Sequence, residues 1–156
     1  MDKTFRPGNI GALMDEYERA SLDLRRIILS FPQEEFVKIL DDETEDEHCR
    51  SVQAIMHHVI SAGYIYLNQI YIFLKQEQIT TNYEISSPKS AIEEFDKMLS
   101  LTSEAVKNNF VINHEDVLAA RTKTYWGLYD IEMMFEHAIV HILRHRRQIE
   151  KLTKKG

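Results

Sequence analysis

Three histidines carry the chemistry in this sequence: His58, His141 and His145. The last two stand four residues apart. On an α-helix at ~100° per residue that spacing stacks two side chains on one face, so two ring nitrogens can reach a common point. Such a geometry suits a metal ion. Both histidines fall within about 20° of Met134, in the middle of a stripe of Met134, Ala138, Ile142, Ile149 and Leu152 that is roughly 80° wide. Their rings are therefore expected to point inward. His58 belongs to an earlier segment, where Ala54, Ile55, Ala62, Ile65, Tyr66, Gln69, Ile72 and Phe73 lie within roughly 80° on either side of it. It reads as the centre of a second inward stripe, and the small Ala54 and Ala62 leave room beside its ring.

A lone core histidine is usually a hydrogen-bonded ring and nothing more. Three that converge are harder to satisfy, because every buried imidazole needs partners for two nitrogens. A shared cation satisfies one nitrogen from each. The competing readings are a polar core network, or a pair that never meets the third ring. Zinc, nickel and ferrous iron all accept imidazole. Three neutral ligands leave a divalent charge and an open position, the pattern of catalytic rather than structural sites. A cation so held can lower the pKa of water, hold a thiolate or polarise a carbonyl. No Asp or Glu lies near the histidines on their stripes, which counts against a protease-like site with a carboxylate base unless a loop supplies one. Tyr17 and Tyr66 face the same interior and are candidate proton donors, with aromatic packing as the alternative. Gln148, about 40° from the stripe centre, is placed to orient a ligand by a hydrogen bond. His137, one turn before His141 at the stripe edge, is either an alternative ligand, a group supporting one from outside, or surface.

Long helices must position these groups. Residues 9–31 carry Leu13, Tyr17, Ala20, Leu24, Ile28 and Phe31 at helical spacing, with Asp15, Glu16, Glu18 and Arg19 between them. Pro7 and Gly8 mark the start, Asn9 reads as the N-cap, and Pro32 as the stop. Residues 33–49 form a linker with a short helical turn at 34–40, and its DDETEDE run is too charged to bury. The second helix spans about 51–75. Its other side, with Met56, Ile60, Leu67 and Leu74, is also apolar, so it is either deeply buried or pairs with another subunit, and a homodimer is expected. Ser87 and Pro88 open a third helix reaching 109, with Ala91, Ile92, Phe95, Leu99, Thr102, Val106 and Phe110 on one side. Residues 111–129 are the least legible: one helical turn near Glu115 to Ala120, then a loop at Trp126 and Gly127. Asp130 caps the fourth helix. Four long helices predict an all-α four-helix bundle in one domain, 1–156, whose connections are long enough that the helices need not alternate in direction.

Composition narrows the partners. A formal charge of -6 argues against nucleic-acid binding, which needs a basic face. No run of ~18 apolar residues suggests a membrane span, and MDKTFRPGNI contains no apolar signal core. Cys49 is the single cysteine, so no intrachain disulfide forms and a cytoplasmic protein is expected. The basic run from Arg144 to Lys155 reads either as an anion patch or, in preference, as cations complementing a helix C-terminus.

Two of these motifs, SVQAIMHHV (51–59) and HILRHRRQI (141–149), resemble the DinB-like (DNA-damage-inducible) superfamily of metalloenzymes. Its members carry an inward His on the second helix, matched by His58, and a His-x-x-x-His-Arg-Gly-Gln pattern on the last, matched by His141, His145, Arg146 and Gln148. Arg147 replaces the Gly, on what reads as the outer side of the helix. Helix lengths and order agree over nearly the whole chain, while specific similarity is confined to the two motifs. The resemblance implies an up-down-down-up bundle, a three-His divalent metal at one end of the core, and frequently a dimer. It also implies metal-dependent chemistry on a low-molecular-weight thiol, since relatives include thiol-dependent S-transferases and an isomerase. The expected function is therefore a metal-dependent transferase or hydrolase acting on a small molecule. The alternative is a non-catalytic helical bundle whose His cluster is structural or vestigial.

Overall fold

In the computed structural model, which describes residues 4–154, the chain is predominantly helical. Four long helices, α1 (Gly8–Leu29), α3 (Val52–Phe73), α4 (Pro88–Val106) and α6 (Ile131–Thr153), are joined by shorter pieces. These are α2 (Gln33–Val37), a 3-10 turn over Glu47–Cys49, α5 (His114–Ala119) and a hairpin of β1 (Thr122–Thr124) and β2 (Gly127–Tyr129). α1 packs on α6 and α4, and α3 packs on the same two helices. One continuous hydrophobic cluster runs between them, from Ile10 and Leu24 to Phe95, Phe135 and Ile149. None of the described helices is long and apolar enough to cross a membrane.

Contacts advance together along α3 and α4, from Tyr64 Oη donating to Glu94 at 2.5 Å to Gln76, just past α3, donating to the Ala105 carbonyl at 3.0 Å. Along α1 and α6 they also advance together, from Asn9 to Glu132 at 2.6 Å and from Asp23 to Arg146 at 3.1 Å. Between α3 and α6 they run oppositely, with His58 meeting His141 while Tyr66 meets His137. α3 and α4 approach closely at Gly63, where a Cβ would lie 2.6 Å from the Met98 methyl.

The helix starts follow local chemistry, with one correction. Ser51, Ser87 and Asp130 each accept a backbone N–H from the first turn, as expected of N-caps. Asn9 does not cap α1; Pro7 occupies that position and Asn9 lies within the helix. Its amide instead brackets Ile112, accepting from that residue's N–H at 3.1 Å and donating to its carbonyl at 3.0 Å. The exposed amides of Ile10 and Gly11 are taken by the Phe110 carbonyl, so a loop carbonyl serves where a capping side chain was expected. α1 ends at Leu29, two residues short of Phe31, and Pro32 begins α2 rather than ending α1. Asp15, read as a solvent-facing acid, is 7% exposed and held by Arg6 at 2.6 Å.

α3 is rotated from its expected orientation. Met56, Ile60 and Leu67 are fully buried within this chain, and Ile65, assigned to the inward stripe, is 51% exposed. A helix clamped by α4 on one side and α6 on the other buries two apolar sides, and an all-round apolar pattern cannot say which direction is inward. The Met56 face is thus not available to a second subunit. Within 111–129, α5 matches the helical turn expected near Glu115 to Ala120, whereas the part read as a loop at Trp126 and Gly127 is the hairpin, paired Thr122 to Tyr129, Lys123 to Leu128 and Thr124 to Gly127.

Candidate metal centre

α3 and α6 present the histidines to one another. His58 Nε2 lies 3.1 Å from His141 Nε2, and His145 Nε2 lies 3.2 Å from the same atom. One ring nitrogen from each residue falls within 4.8 Å of the other two. Despite the rotation of α3, its histidine reaches the pair on α6, from the border of the buried surface rather than its centre. His141 and His145 are buried and His58 is half-buried.

Hydrogen bonding alone satisfies this arrangement poorly. Gln148 presents its carbonyl oxygen 2.8 Å from His145 Nδ1, which makes that nitrogen the donor and leaves a lone pair on His145 Nε2. His141 Nε2 then cannot serve both neighbours: protonated, it donates to one ring, and unprotonated, it opposes the lone pair of His145. A cation accepts all three lone pairs at once. Nitrogens bound at ~2.05 Å to a tetrahedral ion stand ~3.3 Å apart, close to the two separations observed. The residues fit a divalent ion.

Electrostatics favours the same state. Burial lowers the His141 pKa to about 3, helped by the neighbouring His145 and His58 rings. Burial also lowers His145, against the opposing pull of its bond to Gln148, and lowers His58, with the nearby His48 adding to the effect. All three are neutral near pH 7 and keep a lone pair for a ligand bond.

The cluster faces an open cavity of about 1020 Å³. Its walls include Cys49, Gln148 and a row of α6 cations: Arg144, Arg147, Lys151 and Lys154. Arg147 is exposed, as expected of the outer side of the helix, yet also lines the cavity, and the basic run is more than a helix-end device, because only Lys151 lies in the last turn. Lys155 lies outside the described residues. The DDETEDE linker, read as solvated loop, supplies Asp41 and Asp46 to the cavity, anchored where the Leu40 and Asp41 amides both donate to the Arg50 carbonyl.

Other expected site residues are placed as follows. Gln148 orients His145, as its spacing suggested. Tyr66 is buried with its ring edge-on to His141 at 5.6 Å, and burial pushes its phenol up to about 12. Tyr17 is fully enclosed: its hydroxyl donates to Met98 Sδ at 3.8 Å and its ring packs on Phe135, so it is a core residue. His137 stands outside the three-ring group, its Nδ1 3.0 Å from the Tyr129 hydroxyl and its ring against Tyr66 and Trp126. Sequence reasoning missed the aromatic wall that the hairpin builds from Trp126 and Tyr129, and His48, whose ring lies 5.6 Å from His58. Their one visible signal was proximity in sequence to a helix start.

In comparisons with known proteins, the chain matches no family model, no curated protein and no solved structure.

Proposed function

We propose that this chain is a metal-dependent enzyme of the DinB-like type, in which His58, His141 and His145 hold a divalent ion and a small thiol or water is activated for transfer or hydrolysis. The single observation that carries this is the convergence of three neutral ring nitrogens at one wall of an open cavity. Contacts that advance together along α1 and α6, and along α3 and α4, support a one-domain up-down-down-up four-helix bundle.

When bound, the ion supplies Lewis acidity, lowering the pKa of a thiol or water at its open position. The residues do the rest. Gln148 fixes the tautomer and direction of His145. Tyr66 packs edge-on against His141. Burial holds the rings neutral, so no proton need leave before a ligand bond forms.

Metal analysis of tag-free protein tests the proposal. The wild type is expected to hold about one zinc, nickel or iron per chain, and the His58→Ala and His141→Ala variants to hold little. Equal metal in all three, even after soaking in zinc or nickel, refutes it. Metal retained without activity in a screen of thiol-transfer and hydrolytic substrates favours the non-catalytic reading.

A further inference from the structure

The cations of α6 are arranged in a way that helix stability does not explain. Arg144, Arg147, Lys151 and Lys154 follow one another at i+3, i+4 and i+3, so each is a like-charge neighbour of the next on one helix face. Such neighbours weaken the helix. Arg144 and Arg147 precede the last turn, beyond the reach of the end dipole. Among the described residues neither has a carboxylate or carbonyl partner, whereas every other arginine reaches one. In a chain of net charge -6 the two guanidinium groups left free both line the cavity that contains the histidine cluster. The acids on the opposite wall are already engaged: Asp46 accepts from the His48 amide and the Cys49 thiol, and Asp41 from the Thr44 amide.

We propose that the ligand of this cavity is a small anion whose carboxylate or phosphate group is held by Arg144 and Arg147, with its other end against the three histidines. A guanidinium presents a planar fork of donors that matches the paired oxygens of either group. The cavity is several times larger than one such group, so the bound molecule extends from the arginines to the rings. The role of the far end as a reacting group rests on the proposed function above; the anion subsite does not require it.

Calorimetric titration of the full chain, stripped of metal with EDTA at low ionic strength, tests this with inorganic phosphate and, separately, succinate as probes. At least one probe is expected to saturate, and the Arg144→Gln/Arg147→Gln double variant to bind it about tenfold or more weakly. An Arg19→Gln/Arg26→Gln variant, with the same charge change on exposed residues of α1, is expected to bind like wild type. Saturation by phosphate alone assigns a phosphate-bearing ligand, and by succinate alone a carboxylate-bearing one. Failure of both probes to saturate, or an equal loss in the α1 variant, overturns the inference. Metal content read on the same preparations before the EDTA treatment separates the two proposals: anion binding by protein that purified without metal and takes none up on soaking removes the metal reading only, and metal without anion binding removes this one only.

Discussion

Replacing His141 by leucine separates the cost of keeping its ring neutral from everything else in the core. The folded pKa lies near 3, while an unfolded histidine titrates near 6.5. A depressed folded pKa contributes stability that is fully present above the unfolded value and is lost as pH falls toward the folded one. By about pH 5.5 the unfolded chain binds nearly one more proton at this residue, and the loss reaches about 1.4 kcal/mol. For a chain of this size that corresponds to about 3–6 °C in Tm. Thermal unfolding of EDTA-treated protein, followed by far-UV circular dichroism near pH 7.5 and again near pH 5.5, reads the effect. The wild type is expected to lose about 1.4 kcal/mol more than His141→Leu between the two conditions. Leucine also relieves the unsatisfied contact between ring nitrogens, so the variant is expected to match or exceed wild-type stability near neutral pH. Equal acid losses in the two proteins would show that this ring is not held neutral by its surroundings, and the electrostatic account of the centre would fail.

Two further outcomes test the supporting structure. Gln148→Leu is expected to leave metal stoichiometry intact but weaken affinity about 10–100-fold, because His145 loses the partner that orients it; competition with a chelator measures this, and unchanged affinity would deny Gln148 its role. Gly8→Ala is expected to cost about 2–4 kcal/mol, since the residue sits at φ +73° and a Cβ would lie 2.4 Å from the Phe110 carbonyl oxygen that receives the α1 amides. Urea unfolding reads the cost, and a loss below about 0.5 kcal/mol would contradict that packing.

How far the sequence could be read depended on how many sides each helix buries. α6 buries one, so the stripe through Met134, Ala138 and Ile149 places His141 and His145 on the buried face from spacing alone. α4 behaves likewise, with Ile92, Phe95 and Thr102 inward and Ser87 at its start. α3 buries two sides, and periodicity therefore put His58 at the centre of the inward stripe when it lies at the border of the buried surface. Asn9 has the chemistry of a cap, yet its amide is used by Ile112 and Glu132, more than a hundred residues away, which no local rule can anticipate. The hairpin strands are three residues each, too short for alternation to register, although Thr, Tyr and Trp are residues that favour strands. The acidic linker was judged by charge alone. Its backbone is tied to Arg50 and its acids edge a cavity, a placement set by the loop's endpoints rather than its composition.

The histidine cluster is split unevenly along the chain, which bears on its biosynthesis. His58 and His141 are separated by 83 positions, and both α6 histidines belong to the last long helix. A nascent chain emerging N-terminus first exposes His58 well before any companion ring exists. On the metal reading proposed above, ion capture would wait until the final segment docks, and a premature stop anywhere before that helix would delete two of the three histidines in one event.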